Sequence, residues 1–358
     1  MKVVVDAVGV RPGSAAIVVG NLVAGWRRAA PEDELVVLSD GTPDFSVPPG
    51  VVVDELGPRT GSPLARLRLQ SLGIRQACRR HGADIAVSGV TASAFLGTPC
   101  PRGAVVYDLR HELRPEQFSP ARRAVRRLLY GWTFRRSDAL LCISERTRSD
   151  LTARRPRLRA KSRAALLGAD HAAGWQPGDG AGTYVLAFGH FANKNVGLVL
   201  QAWQRYTARS ADLTLRVCGL GGTARVDAER LVAELGIGER VELLPWLSDA
   251  EFEAVFAGAR CVLFPSDFEG FGLPAVEAML LGIPVVISTD PALAEVTGGH
   301  AVVTADDRPE TVAAAIEQAL ALDGEQRSAA AAHARTFTWE RTAQVVRETL
   351  SGRVPAAV

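Results

Sequence analysis

The chain has 358 residues, more than a single hydrophobic core usually serves, so two domains are expected. A hydrophobic fraction of 47% excludes a disordered chain, and no apolar run reaches the length of a membrane span. A net charge of only +2 argues against a dedicated nucleic-acid binder. The five cysteines (Cys78, Cys100, Cys142, Cys218, Cys261) are scattered without metal-ligand spacing, which reads as small buried hydrophobes in a reducing cytoplasm.

The N-terminus enters a strand-like run at once, Lys2-Val3-Val4-Val5-Asp6, a pattern that predicts no leader. Strand candidates follow at Leu35–Leu38, Val51–Asp54, Ile85–Val87, Ala104–Tyr107 and Ala139–Ile143, with helical stretches at Ala15–Arg28, Leu64–Arg80 and Ala121–Phe134. The last of these is crowded with arginine (Arg122, Arg123, Arg126, Arg127, Arg135, Arg136) interleaved with Leu128, Leu129, Tyr130, Trp132 and Phe134. Two readings stand open: an amphipathic core helix with a solvated basic face, or peripheral attachment to an anionic membrane at the inner face of the cell envelope. A second basic run, Arg154 to Arg163, comes after it.

The stretch from Gly168 to Gly182 is rich in Gly, Ala, Asp and Pro, and residues 171–182 read as a linker between domains 1–170 and 183–339. A final helix over 340–358 is expected to pack back on the first domain. The second half gives strands at Tyr184–Gly189, Leu213–Gly219, Val241–Leu244, Cys261–Pro265, Pro284–Ser288 and Ala301–Thr304. Helix-like stretches lie between them, one opened by the capping-box pattern Ser248-Asp249-Ala250-Glu251. Alternation of this kind predicts an α/β chain of two doubly wound, Rossmann-like parallel sheets, with ligands beyond the C-terminal strand ends and a cleft between the domains as the expected site.

One segment carries chemistry. After the strand Cys261–Pro265 comes Ser266-Asp267-Phe268-Glu269-Gly270-Phe271-Gly272-Leu273-Pro274-Ala275-Val276-Glu277. Pro274 suits the first turn of a helix, and Gly270 and Gly272 let backbone N–H groups close on a ligand. The helix N-terminus is a seat for a diphosphate, with Glu277 expected in the first turn. Glu269 and Glu277 are carboxylates able to accept hydrogen bonds from sugar hydroxyls.

This string, with Glu277-Ala278-Met279 and Gly282-Ile283-Pro284-Val285-Val286 behind it, resembles the Glu-x7-Glu donor signature of family-4 retaining glycosyltransferases of GT-B fold. Gly189-His190-Phe191-Ala192-Asn193-Lys194-Asn195, Trp246-Leu247-Ser248-Asp249, Ile143-Ser144-Glu145 and Phe337-Thr338-Trp339 are similar to further elements of that family. The resemblance implies that Glu269 meets the transferred sugar and Glu277 the ribose. It implies that the amides of Gly270, Phe271, Gly272 and Leu273 hold hydroxyls and phosphate, with Lys194 as the cation on the diphosphate. Asp108 joins Glu269 and Lys194 as a catalytic candidate, His190 and Leu247 fall on the donor side, and Gly13, Ser14, Tyr107 and His111 on the acceptor side. Three departures stand out: Tyr107-Asp108 where relatives show His-Asp, His190 where they place arginine, and a glycine loop reduced to Gly13-Ser14-Ala15.

The expected activity is retaining transfer of a hexose-type sugar from a nucleotide diphosphate sugar to a glycan, lipid-linked or natural-product acceptor. The resemblance implies no metal and no cofactor besides the donor, and the sequence agrees in lacking an Asp-x-Asp donor motif and clustered histidines. The alternative is a non-catalytic sugar-nucleotide-binding scaffold. A nucleotide-sugar epimerase on a similar fold is a third class, disfavoured by the transferase-type signature.

Overall fold

The structure, a computed structural model, describes residues 1–59, 61–210 and 212–354. The chain divides into two compact units, Met1–Gly168 with Thr338–Val358, and Ala169–Phe337.

The first unit is built on seven parallel strands: β1 (Lys2–Asp6), β2 (Glu34–Asp40), β3 (Val52–Gly57), β4 (Ile85–Ser88), β5 (Arg102–Val106), β6 (Ala139–Cys142) and β7 (Ser162–Ala164). Their order is β3-β2-β1-β4-β5-β6-β7, so the winding reverses between β1 and β4. β1, β4 and β6 are continuous apolar runs because the sheet is covered on both faces. Val4, Val36, Ile74 and Ala86 share one core cluster, and Ala104, Phe134, Leu140 and Leu151 share another.

The helix Trp339–Ser351 belongs to this unit and lies against Ser14–Ala29. The approach is so close that a Cβ on Gly25 would sit 2.3 Å from the Trp339 carbonyl oxygen. Asp33 fastens the pair, accepting from Trp26 Nε1 at 2.9 Å and Arg347 Nε at 2.8 Å. Burial pushes its carboxyl up, but hydrogen bonds from Arg347, the Met1 amine and Trp26 outweigh that and hold it at about 2.

Two expectations need correction here. The helix expected over Leu64–Arg80 is instead Pro63–Arg68, a π turn at Leu69–Gly73, and Ile74–His81. At the wide turn the Gln70 carbonyl accepts from the Phe95 amide at 3.2 Å, and its side chain donates to Val8 O at 3.0 Å, so loop contacts set the local winding. The arginine helix, Pro120–Arg136, also differs from a core helix with a purely basic outer face. Val125, Leu128 and Trp132 are 55%, 63% and 43% exposed, an apolar line set among the arginines.

The second unit carries six parallel strands: β8 (Tyr184–Phe188), β9 (Thr214–Cys218), β10 (Val241–Leu243), β11 (Cys261–Phe264), β12 (Val285–Ile287) and β13 (Val302–Val303). The order β10-β9-β8-β11-β12-β13 puts its reversal between β8 and β11. Val199, Trp203, Leu215, Leu263 and Ile316 pack in its main cluster. Residues 171–182, expected as a linker, fall inside this unit. Trp175 packs edge-on against Phe252 and Phe256, and the Gly182 amide donates to Gly258 O at 2.8 Å, so the segment is part of the fold and not a tether.

Candidate functional site

The sheet order reverses between β8 and β11, the position where doubly wound sheets bind ligands beyond their strand ends. The loop after β8 ends in a short turn, Ala192–Lys194, and Asn195 then takes a left-handed φ of 52° to start the helix Val196–Thr207. Asparagine tolerates that conformation better than most residues. The loop after β11 carries Glu269 and reaches the helix Leu273–Leu280 through Gly272.

The two loops are stitched together. Asn195 Nδ2 donates to Pro265 O at 3.0 Å, the Asp267 amide to Asn193 O at 3.0 Å, and Asn193 Nδ2 to Phe268 O at 2.8 Å. Lys194, only 6% exposed, brings Nζ to 2.6 Å from Glu269 Oε1 and lies 4.1 Å from the centre of the Phe264 ring. Asn193 Nδ2 reaches the same Oε1 at 3.1 Å. A buried ammonium needs such neutralisation, and the ring face adds a second favourable contact. Asp290, the N-cap of Pro291–Thr297, accepts from the Glu269 amide at 3.3 Å. Ser288 Oγ donates to the Ser266 carbonyl.

Glycine is required at 272. Its φ is +97°, and a Cβ there would meet Leu293 Cδ2 at 2.3 Å. Pro274 sits in the first turn as expected, but Glu277 does not. The helix begins at Leu273, which puts Glu277 at the fifth position, in the second turn, where it is 3% exposed. It lies against His171, with Nε2 at 3.1 Å from Oε1. Phe271 is buried edge-on against Phe337, and Gly270 lies half-buried in the loop. Leu247 is half-buried; Arg225 anchors the strand end before it by donating to Leu244 O at 2.9 Å. His190 is exposed, its ring edge-on to Phe191 at 4.8 Å.

The acceptor-side candidates all lie in the first unit. Gly13 caps the helix Ser14–Ala29 with φ 120°, and Ser14 is exposed. Tyr107 donates its hydroxyl to Gly89 O at 2.8 Å, and burial pushes that phenol well above its usual range. Asp108 Oδ1 accepts from the Arg110 amide at 2.8 Å. His111 is fully buried, edge-on to Tyr130 at 4.8 Å and 3.5 Å from Glu112, which sets it in the core. Reading the sequence missed His171, Asn193 and Asp290. Asp290-Pro291 is a legible N-cap pattern that could have flagged the last; nothing local to the sequence marks the other two.

The two doubly wound parallel sheets are Rossmann-like, a fold class whose ligands bind at the switch point. Residues 179–337 match the family model described as Glycosyl transferases group 1. The chain is 51% identical over 70 residues to an MMP alpha-(1->4)-mannosyltransferase of Mycolicibacterium hassiacum, a match covering 20% of this chain and 17% of that protein. It is 34% identical over 206 residues to a D-inositol 3-phosphate glycosyltransferase of Rhodococcus jostii, covering 54% and 44%. The chain thus spans less than half the length of these curated relatives. The sucrose-phosphate synthase structure from Thermosynechococcus elongatus superposes with a TM-score of 0.79 at 18% identity, covering 99% of this chain and 100% of that one. The fold is GT-B, an α/β fold of two Rossmann-like units.

Proposed function

We propose that this protein is a retaining glycosyltransferase that moves a hexose-type sugar from a nucleotide diphosphate sugar to a glycan, lipid-linked or natural-product acceptor. The observation that carries the reading is the Lys194–Glu269 pair at the β8/β11 switch point, beside a helix led in by Gly272. In this reading the Lys194 ammonium, the loop amides and the helix N-terminus stabilise the diphosphate that leaves the anomeric carbon. Glu269 fixes the transferred sugar and Glu277 the ribose hydroxyls. Because these groups carry the leaving charge, the reaction is read as metal-independent, with no cofactor besides the donor. Asp108, in the first unit, is the third catalytic candidate in this reading. Relatives named as mannosyltransferases support a hexose as the transferred group.

The test has two arms. A thermal-shift screen over UDP-, GDP-, ADP- and dTDP-sugars should single out one donor by mass-action stabilisation. Lys194→Ala and Glu269→Ala should each lower transfer from that donor by about a hundredfold or more, with circular dichroism unchanged. Full activity in either folded variant overturns the site. Tight nucleotide binding without turnover over an acceptor panel would support the scaffold reading instead.

A peripheral contact with an anionic membrane belongs to the same proposal. No helix among the described residues is long and apolar enough to cross a membrane. The line Val125, Leu128 and Trp132, flanked by Arg122, Arg127, Arg135 and Arg136, pairs an apolar insertion edge with cations for lipid phosphate.

A further inference from the structure

The turn Asp170–Gly174 opens the second unit, and the chemistry proposed above makes no use of it. Its His171 is mostly buried, with 14% of the side chain exposed, and faces Glu277, whose side chain is 4% exposed. Nε2 lies 3.1 Å from Oε1.

The imidazole is held firmly. It stands edge-on to Trp175 at 5.6 Å, and Trp175 is edge-on in turn to Phe256 at 5.3 Å and Phe252 at 6.0 Å. The turn's backbone is closed by Ala172 N to Ala169 O and Trp175 N to Ala172 O, at 3.0 and 3.1 Å. The Ala169 amide donates to Phe337 O at 3.0 Å, which ties the turn to the last residue of the unit. A rigid imidazole thus meets one oxygen of a buried carboxylate.

Glutamate has three rotatable bonds, and a buried carboxylate without a partner is costly. A fixed counter-group on one oxygen addresses both problems. It limits rotation of the carboxylate and leaves Oε2, with its two lone pairs, for other donors. We propose that His171 is a positioning residue: it holds Glu277 Oε1 so that Oε2 presents to the vicinal hydroxyls of the donor's ribose. This rests on the reading of Glu277 as the ribose ligand. It gives the chain a specificity element for ribonucleotides, supplied by a turn far from the signature in sequence.

The experiment measures dissociation constants by isothermal titration for UDP, GDP and ADP and for their 2′-deoxy counterparts. Taking the tightest ribonucleotide, H171A should weaken it about tenfold, a change of about 1.4 kcal/mol. The deoxy form should weaken less than about twofold, so the preference for ribose collapses. In turnover, KM for the donor rises while kcat holds. H171Q, whose amide can reach the same carboxylate, restores most of the preference, and H171L, of similar bulk without a donor, does not. A purely structural role would shift both nucleotides equally, and H171Q and H171L alone show this if H171A does not fold. An intact ribose preference in H171A and H171L alongside a lost one in E277A overturns the positioning role. An intact preference in E277A overturns the ribose assignment itself.

Discussion

Asp6 ends β1 at the reversal point of the first sheet and is 1% exposed. Burial pushes its carboxyl up to about 6, against hydrogen bonds from Ser93 Oγ and the Val8 amide and the charge of Arg102. In the unfolded chain the same group titrates near 3.9. Between those two values the folded protein keeps a proton that the unfolded chain has lost, so stability falls as pH rises from about 4 to about 6. The loss amounts to about 2–3 kcal/mol. Asp6→Asn should remove most of this slope, read as urea unfolding free energies at pH 4 and pH 7.5; an unchanged slope would place the titration elsewhere. Arg102, fully buried nearby, spends its guanidinium on the carbonyls of Ser93, Ala94 and Thr133 and on Ser137 Oγ. None of this was readable from the sequence, because burial of a single Asp or Arg is a property of the assembled fold. The sequence did single out Lys194, one of three lysines in an arginine-rich chain and set in a loop after a strand, and the structure places it beside Glu269.

Elements were legible where periodicity is strong. Every strand of the second sheet fell within a segment marked by its apolar run. β7 was not seen, since three residues, Ser162-Arg163-Ala164, at a sheet edge carry no apolar alternation and sit in a basic run. The π turn at Leu69–Gly73 was equally silent, being imposed by contacts to Val8 and Phe95. The lead-in to the helix Leu273–Leu280 gives a test at this scale. Gly272→Ala meets both a left-handed φ of +97° and Leu293, whereas Gly282→Ala meets φ +70° with open space around the Cβ. The second change should cost about 1–2 kcal/mol from backbone conformation alone. The first should cost about 2–4 kcal/mol once overpacking is added. Chemical denaturation of the two variants measures the difference, and equal losses would mean that Leu293 yields freely.

For the whole molecule, composition and strand–helix alternation were enough to expect two doubly wound units, and the sheet orders have that form. What the arginine helix shows to solvent was not legible, because its apolar residues fit an inward face as well as an outward one. The proposed membrane contact turns on that outward face. Trp132→Glu with Leu128→Glu should abolish flotation with vesicles containing phosphatidylglycerol while leaving solution transfer to a soluble acceptor intact. Flotation that persists in the double variant, or that ignores anionic lipid, would remove this contact from the reading.

The first unit is interrupted in sequence, since its helix Trp339–Ser351 arrives after the whole of the second unit. Protein synthesis therefore completes the two units in nested order. While the ribosome translates residues 169–337, the groove beside Gly25 and the carboxylate of Asp33 wait for Trp339 and Arg347. A nascent chain in that interval exposes an apolar helix face that only its final stretch can cover. Premature termination anywhere in the second unit removes the helix Trp339–Ser351 too, and with it the contacts that cover Gly25 and neutralise Asp33.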